Sequence, residues 1–199
     1  MNYYPKTKAM KKILTTVCLF AVALMANAAN EVSEATEWTF DNLEVKTIAD
    51  VHEINGLFVR AKEGHEASIV DSKVKGNLSD GTRYNVKKGL KLMSNKSFKV
   101  SSNTRVNNPA ESGTDRCIGI KTTKAGTLYL VVRTKTKDVT RTIDLYFNGV
   151  IVKQLNAEEV AESTDNLAII EYKAEKGGTF FLGGGAEIIV CYAKFSPIQ

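Results

Sequence analysis

Short segments in which apolar and polar residues alternate dominate the chain from residue 37 onward. Trp38 and Phe40 share one face of the first such segment, and Leu57 and Val59 share one face of a later one. A period of two places every second side chain on the same side of an extended strand. Turn signals recur about every 8 to 12 positions, which predicts roughly ten to twelve short strands.

The sharpest local signal lies around Asn148 and Gly149. Apolar residues alternate on both sides of this pair in the segment IDLYFNGVIVKQ. A two-residue turn requires positive φ at both central positions, which Asn and Gly tolerate, so we predict a β-hairpin. Asn156 followed by Glu159 has the spacing of a helix start, and we predict one short helix that runs to about Ser163.

The last strand-like segment, residues 187–195, is apolar on both faces. Simple alternation gives one face with Ile189, Cys191, Ala193 and Phe195 and the other with Ile188, Val190 and Tyr192. Such a strand belongs at the centre of a sheet or under a cover. We therefore predict that it closes a sheet begun near Trp38. The glycines at 183–185 lead into this strand and not into a helix, so we interpret them as a hairpin turn.

These elements predict an all-β fold for residues 37–199. The strand number, the regular turns and the single short helix favour an antiparallel β-sandwich of jelly-roll type. An open barrel is the alternative.

The N-terminus has the pattern of a secretory signal peptide. A basic stretch precedes an apolar run over residues 13–25, and Ala28 ends a small-residue cleavage site. The run has about 13 residues, fewer than the roughly 20 that span a bilayer. We predict a signal peptide at 1–28, in which 1–9 are a candidate start-site artefact, and a flexible leader at 29–36. The protein is then exported, periplasmic or extracellular, with no membrane span.

Removal of the signal peptide changes the charge. Residues 1–28 hold four of the 27 basic residues and none of the 22 acidic ones, so 23 basic residues remain and the net charge is close to zero. A chain without a basic excess has no general attraction for nucleic acid or anionic membrane, and we predict neither partner.

Signatures of catalysis and of metal binding are absent from the sequence. His52 and His65 are the only histidines, and no nucleophile elbow, zinc motif or phosphate loop occurs. Asp71, Asp80 and Asp115 are too scattered to indicate a calcium loop. We predict no enzyme, no cofactor and no metal, with a small hydrolase or lyase as the enzyme-class alternative. Cys117 and Cys191 could form a disulfide after export, but two buried free thiols are the simpler interpretation.

A sugar site needs an aromatic ring with hydrogen-bonding groups around it. Tyr84 is the best aromatic candidate, and it stands beside Arg83 just after a turn. Arg105, Asn108 and Arg116 could supply donors from a neighbouring loop. The alternative for Tyr84 is that its ring simply covers part of the core.

A resemblance supports this interpretation. In order along the chain stand Trp38-Thr39-Phe40, Ile54-Asn55-Gly56-Leu57, Asp115-Arg116-Cys117, the Asn148-Gly149 hairpin and Gly178-Thr179-Phe180-Phe181. With them the chain resembles the non-catalytic β-sandwich modules found beside pectate lyases and other polysaccharide-degrading enzymes in secreted proteins of Gram-negative gut bacteria. The resemblance implies a carbohydrate-binding-like protein whose ligand is a plant or host polysaccharide or oligosaccharide. The second hypothesis is a periplasmic or surface assembly subunit that contacts a protein partner through sheet edges.

Overall fold

The fold is a sandwich of two antiparallel sheets, seen in a computed structural model that describes residues 30–61, 64–92 and 116–198. The seven-stranded sheet has the order β11-β8-β13-β6-β5-β2, with β1 also paired to β13, and the six-stranded sheet has the order β10-β9-β12-β7-β4-β3. Two separate sheets confirm the predicted sandwich and exclude the barrel. The predicted signal peptide lies outside the described residues.

The described strands have between two and eleven residues, and every ladder between them is antiparallel. The seven-stranded sheet consists of β1 (Thr36–Trp38), β2 (Thr47–Ile48), β5 (Ala67–Asn77), β6 (Arg83–Leu92), β8 (Gly126–Arg133), β11 (Leu167–Ala174) and β13 (Ile188–Pro197). The six-stranded sheet consists of β3 (His52–Ile54), β4 (Leu57–Arg60), β7 (Cys117–Thr122), β9 (Thr142–Phe147), β10 (Val150–Asn156) and β12 (Gly178–Gly184). One α-helix, α1 (Ala157–Glu162), connects β10 to the seven-stranded sheet.

The main core fills the space between the sheets. Its largest members are fully buried aromatic side chains, among them Trp38, Phe40, Phe180 and Phe195. Trp38 Nε1 also donates to the carbonyl of Asn55 at 2.9 Å, which ties β1 to the other sheet. Burial of each such side chain contributes about 1.5–3 kcal/mol, so this layer is the main source of stability.

The predicted hairpin turn and helix start are confirmed, but the predicted hairpin at the glycines 183–185 is wrong, because these residues lie at the end of β12 of the six-stranded sheet and lead into β13 of the other sheet. Asn148 and Gly149 have φ of 50° and 80° in the turn between β9 and β10. Asn156 is the N-cap of α1 because its Oδ1 accepts from the backbone N–H of Glu158 at 2.9 Å and of Glu159 at 3.4 Å. The helix ends one residue before Ser163.

β13 is a central strand, as predicted, but its predicted faces are wrong. The pairing of β13 with β8 shifts register between Val190 and Tyr192. This bulge places Cys191 and Tyr192 together in an outer cluster, whereas Val190 and Ala193 point into the main core. Simple alternation could not reveal the extra residue, because both faces are apolar.

The hairpin of β5 and β6 departs from the sheet part of the way along its length. β6 pairs with β13 only at Ile188–Val190, and farther along β13 the partner is β1, with Trp38 opposite Ala193. A bulge between Asp71 and Val74 marks the departure. We call residues 72–88 the arm.

The arm folds over the outer face of the seven-stranded sheet. It buries a second cluster there, formed by Val74, Leu78, Tyr84, Val86, Tyr129, Val131, Cys191 and Tyr192. At its tip, Lys194 Nζ contacts Asp80 Oδ2 at 2.8 Å and Thr82 Oγ1 at 2.5 Å, and Ser79 Oγ donates to Glu171 Oε2 at 2.6 Å. The part of the outer face that lies under the arm is therefore a second core and not a solvent-facing surface.

The segment before β1 also takes part in the fold. Val32 is 6% exposed, its N–H donates to the carbonyl of Lys121 at 2.8 Å, and its carbonyl accepts from Thr123 at 3.1 Å. The segment expected to be a flexible leader is therefore anchored at Val32, which joins the main core.

Candidate functional site

A polar depression lies at one end of the six-stranded sheet. We call this the turn end, because the β3–β4 and β9–β10 turns, the end of β7 and the start of β12 meet there. The depression has a volume of about 450 Å³ and is lined by Glu31, Lys121, Thr122, Thr123, Asn148, Gly177, Gly178 and Thr179. Small-molecule sites have volumes of about 300–1,000 Å³, so a small ligand fits.

Local sequence explains the shape of this end depression. The Asn148 side chain turns back over the start of β12, where its Oδ1 accepts from Thr179 N–H at 2.9 Å. A Cβ on Gly178 would lie 2.5 Å from Phe147 Cζ and 2.6 Å from Asn148 Oδ1. Only glycine allows β12 to approach the hairpin this closely, and the wall of the depression depends on that approach.

The charges that line the end depression cancel. Among its described lining residues only Glu31 and Lys121 are charged, and Lys121 Nζ lies 2.5 Å from Glu31 Oε1. Both side chains are partly exposed, so the pair adds little to stability. The ion pair leaves the site without a net charge, which disfavours a strongly anionic or cationic ligand.

Hydrogen-bonding groups remain available around this neutral pair. Thr122 Oγ1 is used internally, since it accepts from Gly178 N–H and donates to the Gly178 carbonyl. The described residues provide no hydrogen-bond partner for the Thr179 hydroxyl or for the amide nitrogen of the exposed Asn148. These two groups and Lys121 line the depression and can therefore contact a ligand in it.

Aromatic side chains lie behind the wall of the depression. Phe147 packs against Phe180 and Tyr172, with ring centroids 4.7 and 5.9 Å apart, and it bridges the two sheets beside Gly178. Phe147 and Tyr172 are half-buried. Their packing makes this end rigid and partly apolar. A preformed binding site requires such a rigid support.

A second and larger depression, of about 540 Å³, lies where the arm leaves the sheet. Its charged lining residues are Asp41, Glu44, Lys46, Asp71 and Lys88. Asp41 is committed to the fold, because its Oδ1 accepts from the backbone N–H groups of Lys87 and Lys88, both at 2.8 Å. This depression has many charged lining residues, and Asp41 among them stabilises the departure of the arm. It is therefore a weaker candidate site for a neutral ligand.

The predicted sugar-binding residues that the structure describes do not form one site. Tyr84 is 5% exposed, and its ring stacks on Tyr192 at a centroid distance of 5.6 Å. Burial also raises the pKa of the Tyr84 hydroxyl. Its ring is therefore part of the second core, so the interpretation as a sugar platform is corrected. Arg83, next to it on the arm, is exposed.

The remaining predicted donors lie elsewhere. Arg116 precedes β7 with a positive φ of 54°, and its Nη2 donates to the carbonyl of Gly64 at 3.5 Å. Because Cys117 pairs with Arg60, at the opposite end of β4 from the turn end, Arg116 is distant from both the arm and the end depression. Arg105 and Asn108 lie outside the described residues.

The two cysteines occupy opposite outer faces of the sandwich. Cys117 packs with Tyr146 and Phe181 on the six-stranded sheet, and Cys191 lies under the arm on the other sheet. Both are free and buried. Packed sheets are about 10 Å apart, and a disulfide needs its Cα atoms within about 7 Å, so this fold does not allow the pair to bond.

Within the part of the chain that the structure describes, no cluster of three or more His, Cys, Asp or Glu side chains could hold a metal ion. None of the helices described there has the length and apolarity that a membrane span requires.

Sequence reasoning found the hairpin but missed the site beside it. Lys121, Asn148 and Thr179 come from three separate strand ends, and no local motif joins them. The one usable signal was the pair Gly177-Gly178 ahead of a strand, because adjacent glycines indicate close approach of two backbones.

Comparisons with known proteins give structural matches only. No family model matches the chain, and no curated relative matches it. Among solved structures, tandem CBM51 modules of a family 98 glycoside hydrolase from Streptococcus pneumoniae match with a TM-score of 0.41 and 8% identity, over 83% of this chain and 49% of that one. The chain thus spans about half the length of that structure.

Two other matches cover their counterparts almost fully. One is a structure from work on glycan recognition by the Ruminococcus flavefaciens cellulosome. It matches with a TM-score of 0.42 and 9% identity, over 85% of this chain and 99% of that one. A CBM51 from Clostridium perfringens, in complex with methyl-galactose, has a TM-score of 0.37 and 9% identity, over 81% and 100%. These TM-scores are low, and the fold assignment rests on the strand pairing of this chain itself.

Proposed function

We propose that the protein is an exported, non-catalytic carbohydrate-binding protein that holds a neutral saccharide in the end depression. The observation that carries this proposal is the neutral polar lining, in which the Lys121–Glu31 pair cancels the charge while the hydroxyl of Thr179 and the amide of Asn148 stay available. A sugar presents many hydroxyl groups and no net charge, so it matches both properties.

The same lining argues against catalysis at this place. Glycoside hydrolysis normally uses two carboxyl groups that flank the scissile bond. The described lining contains one, Glu31, and it is held by Lys121. The site can therefore bind a saccharide, but it lacks the pair of groups that would cleave one.

The source of the saccharide follows from the compartment. The predicted signal peptide at 1–28 would deliver the chain to the periplasm or the medium. A protein exported in this way meets plant or host polysaccharides and the oligosaccharides released from them, and we propose these as its ligands.

Titration calorimetry against a panel of neutral plant and host oligosaccharides tests the proposal. Loss of one hydrogen bond costs about 0.5–1.5 kcal/mol, so we expect Thr179→Val and Asn148→Gly each to weaken binding by roughly three- to tenfold. Asn148→Gly keeps the positive φ that the turn needs. Lys121→Met should weaken binding as well.

Lys153→Met is the matched control, because Lys153 is exposed on the edge strand β10 and does not line the depression. Its affinity should equal that of the parent protein. Failure of the parent to bind any member of the panel, or unchanged affinity in all three site variants, would overturn the proposal.

A further inference from the structure

The sheet edges of this protein differ in how well they resist pairing with another chain. β10 has a bulge between Ile151 and Lys153, β5 has one between Asp71 and Val74, and β2 and β3 have only two and three residues. Short or bulged edges are common protections against edge-to-edge association. Each of these edges is therefore a poor template for a partner strand.

β11 lacks these protections. All eight of its residues pair with β8 without a register shift, and no strand of the described residues pairs with its other side. It contains no proline, and Ile169 on its outer face is 41% exposed. A long, regular edge with an exposed apolar side chain is a ready template for one more strand.

The two charged residues on this strand lie on the same face. Glu171 and Lys173 are two positions apart, and both are exposed. A lone lysine would protect the edge from pairing. Here Glu171 stands two residues from Lys173. A partner strand with the same two residues can therefore place its carboxylate opposite Lys173 and neutralise the lysine.

A second copy of β11 can pair with the first in several registers, but only one register places Glu171 of each copy opposite Lys173 of the other. In antiparallel pairing, opposed residues lie on the same face, so a two-fold axis perpendicular to the sheet passes through one position. An axis at Glu171 opposes two carboxylates, and an axis at Lys173 opposes two ammonium groups. An axis at Tyr172 opposes Glu171 with Lys173 of the second copy, twice.

We propose that the protein forms a symmetric homodimer in which β11 pairs antiparallel with β11 of a second copy, centred on Tyr172. The seven-stranded sheets of both copies then become one continuous sheet. Two Glu171–Lys173 pairs set the register, and the exposed Ile169 side chains lie beside them on the same outer face.

The arm is compatible with this arrangement. Ser79 at the arm tip donates to Glu171 Oε2 at 2.6 Å, which holds the carboxylate over the outer face and leaves Oε1 to accept from the lysine of the other copy. The end depression is lined by Glu31, by residues at the end of β7, by Asn148 and by residues at and before the start of β12, and none of its lining residues belongs to β11, so it stays open. Dimerisation and saccharide binding are therefore separate properties that can be tested independently.

Sedimentation equilibrium of the purified protein tests the dimer. We expect a reversible monomer–dimer equilibrium for the parent chain. Glu171→Lys and Lys173→Glu each convert two favourable cross-strand pairs into two repulsive ones, and each should weaken self-association by at least about tenfold. The double variant Glu171→Lys/Lys173→Glu reverses both charges and should restore the dimer.

Mixing the two single variants gives a sharper result. Glu171→Lys has lysine at both positions, and Lys173→Glu has glutamate at both. The mixture should therefore form a heterodimer, although each variant alone is monomeric. Lys153→Glu on the bulged edge β10 is the control and should dimerise like the parent, and circular dichroism confirms that each variant is folded. A parent protein that stays monomeric at high concentration, or single variants that dimerise like the parent, would overturn the proposal, and so would a double variant or a mixture that remains monomeric.

Discussion

Asp41 illustrates how one side chain can take the place of a strand. The ladder between β6 and β13 ends at Leu90 and Val190, and Lys87 and Lys88 lie just before this end of the pairing. Asp41 Oδ1 accepts from both at 2.8 Å. Unsatisfied backbone donors lower the stability of a fold. This single carboxylate satisfies two of them and so stabilises the departure of the arm from the sheet.

Asp41→Ala should therefore destabilise the protein. Loss of the acceptor removes one exposed and one part-buried hydrogen bond, each worth about 0.5–1.5 kcal/mol, and we expect the free energy of unfolding to fall by about 1–3 kcal/mol. Urea unfolding followed by tryptophan fluorescence measures this change. Asp41→Asn keeps an oxygen acceptor and should lose clearly less. Equal losses in both variants would show that the two hydrogen bonds do not matter.

Asp80 gives the protein a pH-dependent contact at the arm tip. The hydrogen bond from Lys194 is the main reason that the pKa of Asp80 is lowered to about 2, and Thr82 contributes further hydrogen bonds. A carboxylate with a lowered folded-state pKa stabilises the protein above the unfolded-state pKa, and this stability is lost as the pH falls through the folded-state value.

The parent protein should therefore lose stability between about pH 4 and pH 2. Asp80 is exposed, so solvent screening limits the contribution to about 0.5–1 kcal/mol. Asp80→Asn removes the titrating group and should show a shallower decrease over the same interval. Thermal unfolding at a series of pH values compares the two proteins. Parallel curves would mean that the ion pair contributes nothing.

At the scale of elements, β13 joins more of the fold than any other described strand. It pairs with β8 along its whole length, with β6 at one end and with β1 at the other. Val190, Ala193 and Phe195 point into the main core, and Cys191 and Tyr192 point into the second one. Both cores therefore depend on this one strand.

Removal of residues 187–199 should abolish cooperative folding. The truncated chain loses the partner of three strands and leaves two apolar clusters open, a loss much larger than the usual 5–15 kcal/mol of total stability. Removal of residues 198–199 alone, beyond the end of β13, is the control and should leave folding intact. Circular dichroism during thermal unfolding distinguishes the two. A soluble long truncation with a sharp transition would contradict this assignment.

At the scale of the whole molecule, the sequence predicted the sandwich because alternation and turn chemistry are local. Asn148 and Gly149 form the predicted turn, and Asn156 is the predicted helix N-cap. Tyr84 was misjudged because alternation marks a face without telling what that face packs against. Tyr84 lies on the arm, which departs from the sheet at a bulge and packs its ring on Tyr192. The candidate site could not be predicted, since Lys121 and Thr179 meet only when β7 pairs with β12, and Glu31 joins them only when the N-terminal segment contacts the end of β7.

The central position of the C-terminal strand also constrains the order in which the chain can fold. β13 follows all the other described strands along the chain, and β1, β6 and β8 all pair with it. Contacts between the two ends of a chain form late, because loop closure precedes them. The native seven-stranded sheet can therefore assemble only once β13 is available to pair with the strands that precede it in the chain.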